Sequence, residues 1–417
     1  MLEQIDNLQD RPRTPVTGSS FASARTFTSN IGTAGNVPGL GSSSRPFEYT
    51  LCTTLRCNLA CPYCYVSKTG VTMELDMARK AIDFIFRHAP AGSYIDIGFF
   101  GGEPLLEFEL LQQIVELIKN HPAHNAERTV FTITTNGTFF SESIASFLKQ
   151  NHFRVCVSCD GPPHVQNTFR RTAMGQDSAA VVESTVLAFQ QALASVTVNA
   201  VHHPLTFRYL PETVEYLSGL GVRQIHLNPD FSAPWTSAEA DELPGIYGAI
   251  AERWEAWYLE GDSHFISLID SKIAVLLRGG YQPLERCQMG HGEMAFTPDG
   301  GIYPCARLIS SRTDAAHRIG DLIHGIDLSK LLGRCASGAR INPECESCGL
   351  KDCCVHWCGC SNIFMTGFYN RVGPFLCASE RALFQVALNT FRRLEKRLGP
   401  AFLHHLTCTP QFTNRPQ

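Results

Sequence analysis

The chain has 417 residues, of which 44% are hydrophobic and 18% are charged, as expected for a globular protein with one large and one smaller domain. Its 35 lysines and arginines are outnumbered by 39 aspartates and glutamates and form no run, which argues against binding to nucleic acid. The longest apolar stretches are too short to span a bilayer, and no secretory signal is visible. We therefore expect a cytoplasmic protein that binds neither nucleic acid nor membrane.

Seventeen cysteines are unusual in a chain without a visible export signal. In a reducing compartment, clustered cysteines more often bind metal or do chemistry than form disulfides. The odd total also argues against complete pairing. The cysteine count therefore predicts metal binding before any motif is considered.

Residues 1–46 are rich in Ser, Gly, Thr and Pro and show no helical or strand period, which predicts a flexible N-terminal tail. After Phe47, short β-rich runs alternate with amphipathic stretches. The predicted strands are Glu48–Thr54, Tyr94–Phe100, Thr129–Thr134, Arg154–Ser158, Val196–Val201 and Gln224–Leu227. Helices are predicted near residues 77–86, 110–118, 141–149, 179–193 and 211–219.

Alternation of strands and helices predicts a parallel sheet covered by helices. Six such units are too few for an eight-stranded barrel, so we expect an α/β fold with an open, partial (β/α)₆ barrel over residues 47–240. Active sites in such sheets lie at the carboxyl ends of the strands. Residues 241–284 are predicted to be a helical connector, and residues 381–417 a C-terminal helix and tail. The cysteine-rich residues 285–380 have little periodicity and would need bound metal to stabilise them.

Three cysteines follow the first predicted strand, in the segment Cys57-Asn-Leu-Ala-Cys61-Pro-Tyr-Cys64. Three thiolates on one loop can bind three irons of a [4Fe–4S] cluster, which leaves one iron open for a substrate or cosubstrate. A zinc site would usually have four ligands in two pairs. The spacing therefore favours an iron–sulfur cluster with an open iron.

This three-cysteine pattern resembles the radical S-adenosylmethionine (SAM) superfamily. Segments at the ends of the next three predicted strands agree with it, namely Phe100–Pro104, Thr134–Thr138 and Ser158–Pro162. The resemblance implies that SAM is cleaved reductively to a 5′-deoxyadenosyl radical, which abstracts a substrate hydrogen. Two glycines and a glutamate would hold the SAM ammonium, a serine and an arginine its ribose or carboxylate, and the Tyr63 backbone its adenine. The implied SAM contacts are Tyr63, Gly101, Gly102, Glu103, Ser158 and Arg170.

A second cysteine array resembles the SPASM extension of radical SAM peptide and protein maturases, which carries two auxiliary [4Fe–4S] clusters. Its central run is Cys345-x₂-Cys348-x₄-Cys353-Cys354-x₃-Cys358-x-Cys360. By this resemblance, the ligands of auxiliary cluster I would be Cys287, Cys305 and Cys358. Those of auxiliary cluster II would be Cys345, Cys348, Cys354 and Cys377.

Two positions depart from the sulfatase-maturing members of this group. Those members have an additional cysteine shortly after the one that corresponds to Cys287, where this chain has Gly, Glu and Met. Auxiliary cluster I therefore either has an open iron or recruits Cys360 or Cys335. Those members also have a catalytic aspartate directly after the cysteine of the Tyr-Pro-Cys segment, where this chain has Ala306. The sequence therefore identifies no catalytic base.

The resemblance thus implies a maturase that oxidatively crosslinks side chains of a ribosomal precursor peptide. It implies an electron donor such as flavodoxin or ferredoxin. Leader binding would use another surface or a separate protein, since no folded domain is predicted before Phe47. Two alternatives stay open. An anaerobic sulfatase-maturing enzyme is disfavoured by Ala306, and a zinc-ribbon binding protein by the three-cysteine loop together with Gly101–Pro104.

Overall fold

The computed structural model describes residues 46–309, 314–336, 342–399 and 402. The predicted N-terminal tail, except for its last residue, lies outside this range, and so does most of the chain after residue 399. Among the described residues, no helix combines the length and the apolar character needed to cross a bilayer.

Eleven strands form one sheet in the described part of the chain. They are β1 Phe47–Thr54, β2 Ile95–Gly101, β3 Thr129–Thr135, β4 Arg154–Ser158, β5 Thr197–His202, β6 Gln224–Pro229, β7 Phe265–Ile266, β8 Glu293–Phe296, β9 Gly301–Tyr303, β10 Gly320–Asp321 and β11 Gly325–Ile326. Their order is β11-β10-β9-β8-β1-β2-β3-β4-β5-β6-β7. Strands β1 to β7 are parallel, β8 pairs in parallel with β1, and β9 to β11 are antiparallel.

Helices connect the parallel strands and cover one face of the sheet, and four further helices follow β11. They are α1 Leu75–His88, α2 Phe108–Lys119, α3 Glu142–Gln150, α4 Pro163–Phe169, α5 Ala179–Ala192, α6 Leu210–Gly219, α7 Ser237–Glu260, α8 Ser267–Arg278, α9 Leu328–Ala336, α10 Pro343–Glu346, α11 Gly359–Thr366 and α12 Pro374–Leu398.

The predicted α/β fold with a parallel sheet is confirmed. Each of the six predicted strands matches one of β1 to β6, and their ends differ by no more than two residues. Strands β7 to β11 are additional. They are only two to four residues long, too short to produce a detectable alternation of apolar and polar residues.

The two faces of the sheet differ in polarity because successive side chains of a strand point to opposite sides. On β2, Ile95, Ile97 and Phe99 are buried in the main hydrophobic core with residues of α1 and α2. The intervening residues are polar or small. Asp96, on the face opposite to the helices, accepts a hydrogen bond from Thr132 Oγ1 at 2.9 Å. The helix-covered face therefore stabilises the fold, and the opposite face offers polar groups to a bound molecule.

Helix α12 returns from the cysteine-rich region and packs on α7 and α8. A buried ion pair joins Lys272 on α8 to Glu380 on α12, with Nζ 2.7 Å from Oε1. Tyr247 Oη lies 2.9 Å from Ser379 Oγ, which links α7 to the same helix. The predicted C-terminal helix thus exists, whereas the predicted domain boundaries stay predictions.

Candidate active site

The three-cysteine loop follows β1 at the carboxyl edge of the parallel sheet. Cys57, Cys61 and Cys64 are half-buried free thiols. Two N–H groups point at the first sulfur: the Leu59 amide donates to Cys57 Sγ at 3.4 Å, and Asn136 Nδ2 donates to it at 3.6 Å. Donors directed at sulfur stabilise a thiolate, so this loop is arranged for anionic sulfur.

The thiols of this loop need a positive charge nearby in order to ionise. Burial raises the pKa of all three thiols, and the charge of Lys68 opposes that rise in each case. Lys68 was not predicted, since a single lysine four residues after the last cysteine carries no sequence signal. Buried thiolates require a metal or a cationic partner, so the donor set fits a metal cluster.

The geometry suits a cluster better than a single ion. Among the described residues, no three His, Cys, Asp or Glu side chains converge as the ligands of one metal ion would. In a [4Fe–4S] cluster each thiolate binds a different iron, so three separated sulfurs on one loop are the appropriate arrangement.

Two glycines bring the end of β2 against the cysteine loop. A Cβ on Gly102 would lie 1.8 Å from the Arg56 carbonyl oxygen, and one on Gly101 would lie 2.3 Å from that of Thr54. The approach is fixed by hydrogen bonds from the Gly102 N–H to Thr54 O and from the Glu103 N–H to Arg56 O, both at 2.8 Å. Only glycine permits backbone segments to lie this close. The predicted SAM-binding segment and the predicted cluster loop are therefore in contact.

Glu103 links the ends of two strands. Its side chain is fully buried and accepts hydrogen bonds from the Leu105 N–H (3.0 Å), Thr135 Oγ1 (2.8 Å) and the Asn136 N–H (2.6 Å). Burial raises the pKa of Glu103 to about 7. A carboxylate has about four acceptor positions, so little capacity is left for a direct bond to an ammonium group.

Arg170 and Tyr63 meet at the carboxylate of Asp160. Arg170 Nε lies 3.0 Å from Asp160 Oδ2, the Tyr63 hydroxyl donates to the same oxygen, and Asp160 Oδ1 accepts from the Val201 N–H at 2.9 Å. Arg170 is 6% exposed, whereas its neighbour Arg171 forms a surface ion pair. The structure thus directs Arg170, and not Arg171, towards the cysteine loop, where its charge also acts on the Cys61 thiol. Ser158, the last residue of β4, is buried at the same edge.

Four cysteines lie near β8 and β9. Cys358 Sγ lies 3.5 Å from Cys360 Sγ, and both residues pack in one cluster with Cys305. Cys287 interacts electrostatically with Cys358. This set, named group I, contains the three residues predicted for auxiliary cluster I together with Cys360. The Cys335 side chain lies outside what the structure describes.

The second predicted set also comes together, around Arg381 of α12. The guanidinium interacts electrostatically with the thiols of Cys377, Cys348 and Cys354. Cys345 interacts with Cys348 and Cys377. We name these four thiols group II. Cys353 is buried in a separate apolar cluster with Val275, Leu350, Phe384 and Leu388.

Tyr65 relates the three-cysteine loop to group I through electrostatic interactions. Tyr65 stacks on Phe100, with ring centroids 5.9 Å apart. Its hydroxyl interacts electrostatically with Arg307 and with the thiols of Cys64 and Cys305. The half-buried Arg307 interacts in turn with Cys305, Cys358 and Cys360. Arg307 was not predicted, because nothing in the sequence relates it to Tyr65.

Comparison with known proteins agrees with the fold. A curated relative, the cysteine-type anaerobic sulfatase-maturating enzyme of Clostridium perfringens, is 23% identical over 327 residues, which are 72% of this chain and 85% of that protein. A structure of anSMEcpe with bound S-adenosylmethionine and Cp18Cys peptide has a TM-score of 0.70 at 20% identity and covers 85% of this chain and all of that one. Streptococcus suis SuiB bound to precursor peptide SuiA has a TM-score of 0.53 at 15% identity, covering 90% of this chain and 86% of that one. These structural likenesses show the fold.

A match to a known family covers the sequence from β1 to the end of β6. Residues 51–230 match the model of the radical SAM superfamily, and the cysteine loop, the glycine contact and Arg170 all lie within that range. This part of the chain is therefore a radical SAM domain.

Proposed function

We propose that the chain uses SAM, bound beside a [4Fe–4S] cluster on Cys57, Cys61 and Cys64, to modify a peptide or protein substrate oxidatively. The observation that carries this proposal is the backbone contact between the cysteine loop and Gly101–Glu103 at the carboxyl edge of the sheet. When bound, the cluster and SAM supply a 5′-deoxyadenosyl radical that abstracts hydrogen from the substrate.

The chain's own residues bind and orient SAM. Gly101 and Gly102 let the backbone approach the ligand, and Glu103 fixes the ends of β2 and β3 so that this backbone cannot move. Arg170, held by Asp160, supplies a buried positive charge for the SAM carboxylate. Ser158 supplies a hydroxyl for the ribose, and Tyr63 its backbone for the adenine.

We further propose that groups I and II hold the two auxiliary [4Fe–4S] clusters. Thiols gathered in two separate sets support this, as does the short secondary structure around them. Strand β9 has three residues and helix α10 has four, which is too little regular structure for a stable fold without bound metal.

The substrate class is proposed from the relatives. The names of the similar proteins describe sulfatase maturation, a bound Cp18Cys peptide and a bound precursor peptide. We favour oxidative crosslinking of a ribosomal precursor peptide over formylglycine formation. Residue 306, which follows Cys305, is an alanine and offers no carboxylate base beside group I. An electron donor such as flavodoxin or ferredoxin is required, and a separate leader-binding protein would complete the system.

The test is anaerobic reconstitution, counting of iron and sulfide, and assay of 5′-deoxyadenosine in the presence of SAM and a reductant. The Cys57/Cys61/Cys64→Ala variant should lose roughly four irons and all SAM cleavage. Bound zinc, or no SAM cleavage by the intact chain, would contradict the proposal. A peptide product that loses a hydrogen pair without gaining a hydrazide-reactive carbonyl would support crosslinking over formylglycine formation.

A further inference from the structure

Cys360 is placed to complete group I. It is the second residue of helix α11 and is 4% exposed, and Cys358 is the N-cap of the same helix. Its thiol lies 3.5 Å from Cys358 Sγ, and both cysteines pack in one cluster with Cys305. The fourth thiol, Cys287, interacts electrostatically with Cys358.

The surroundings of these thiols suit four negative sulfurs. The guanidinium of Arg307 interacts with Cys305, Cys358 and Cys360 together. A cationic group of this kind stabilises thiolates and the clusters that they bind.

We propose that Cys360 is the fourth ligand of the auxiliary cluster held by Cys287, Cys305 and Cys358, so that this cluster has no open iron. The inference rests on the auxiliary clusters proposed above. A cluster with four thiolate ligands cannot bind a peptide substrate through iron. Contact between substrate and iron would then be confined to the cluster on the three-cysteine loop.

Glu293 is the rival ligand. It is the first residue of β8, and its carboxylate interacts electrostatically with Cys305 and Cys287. Iron–sulfur clusters favour soft thiolate ligands over hard carboxylate oxygens, and Cys360 packs with Cys305 and Cys358. We therefore assign the fourth position to Cys360.

The experiment uses the full chain carrying Cys57/Cys61/Cys64→Ala, so that only auxiliary clusters remain. Electron paramagnetic resonance spectra are recorded after reduction with and without cyanide, which binds an open iron, and after mild oxidation, which removes one. Cys360→Ala and Glu293→Gln are compared in this background. Cys353→Ala removes a buried thiol outside both groups and serves as the control.

The parent chain and the Cys353→Ala control should show no cyanide shift and no three-iron signal. Cys360→Ala should show both, with loss of about one iron per chain on oxidation. A cyanide shift in the parent chain would overturn the proposal even if Cys360→Ala fails to fold. A Cys360→Ala spectrum identical to that of the parent chain would also overturn it. If only Glu293→Gln shows the cyanide shift and the three-iron signal, the fourth ligand is the Glu293 carboxylate. A parent chain without iron would instead refute the auxiliary clusters themselves.

Discussion

Replacing Gly102 with alanine tests the contact on which the SAM site depends. The added Cβ would lie 1.8 Å from the Arg56 carbonyl oxygen and 2.4 Å from its carbon. Both are backbone atoms, which cannot rotate away as a side chain can. The two segments would therefore have to separate by more than an ångström, a shift that breaks the hydrogen bonds Gly102 N–H to Thr54 O and Glu103 N–H to Arg56 O.

The energetic cost follows from these contacts. Two backbone hydrogen bonds contribute about 1 kcal/mol each, and overpacking of this kind costs about 1–3 kcal/mol. Gly102→Ala should therefore lower the free energy of unfolding by about 3–5 kcal/mol and the melting temperature by several degrees. SAM binding should weaken further, because the separation moves the cysteine loop away from the end of β2.

The assay is thermal unfolding followed by circular dichroism, together with anaerobic calorimetric titration of SAM. Gly70→Ala is the matched control. Gly70 lies in the segment that follows the cysteine loop, is exposed, and has no atom within 4 Å of an added Cβ. This control should change stability by no more than about 0.5 kcal/mol. Equal melting temperatures and SAM affinities for the two variants would refute the argument from the close approach.

Three further predictions concern buried charge. Asp160→Asn should lower the free energy of unfolding by about 3–5 kcal/mol, because it leaves a buried guanidinium unpaired. Asp177→Asn, in an exposed ion pair, should lower it by less than about 1 kcal/mol. Equal melting temperatures for the two variants would contradict this. Lys272→Met should lower the free energy of unfolding by about 3–5 kcal/mol, because it leaves the buried Glu380 carboxylate unpaired. Adding Glu380→Leu should restore much of that free energy, measured by denaturant unfolding in a double-mutant cycle. Burial raises the pKa of Glu103 from 4.5 to about 7, so its stabilising contribution is complete below pH 4.5 and is lost as the pH rises to 7. Glu103→Gln should flatten that part of the pH–stability curve, and an unchanged slope would exclude the raised pKa.

The parallel sheet was predictable because its signals are long and repeated. Strands such as β4, predicted and observed as Arg154–Ser158, alternate with amphipathic helices over almost two hundred residues. The three-cysteine loop and Gly101–Gly102 were predictable because spacing alone defines them. A glycine pair directly after a strand has few explanations other than close backbone approach.

Contacts between distant segments were not predictable. Lys68 acts on the loop thiols, Arg307 joins Tyr65 to group I, and Cys360 contacts Cys305, which lies 55 positions earlier in the chain. Such pairs depend on the packing of a region whose strands have four residues or fewer, where neither a period of 2 nor one of 3.6 can be detected. The sequence therefore identified Cys360 as one of several candidates for the fourth ligand of auxiliary cluster I but could not distinguish it from the others.

Glu103 has buried partners that its motif alone does not reveal. The glutamate of the Gly-Gly-Glu-Pro segment was expected to hold the SAM ammonium. Its two oxygens accept three hydrogen bonds, of which the two from Thr135 and Asn136 join the end of β2 to the end of β3. Asn136 in turn donates to Cys57 Sγ. The carboxylate thus acts on the cluster loop through Asn136, so loss of Glu103 would disturb the sulfur ligand as well as the SAM-binding backbone. The predicted contact between Glu103 and the SAM ammonium stays a prediction, but these hydrogen bonds give the residue a second way to affect SAM affinity, by fixing the backbone at the ends of two strands.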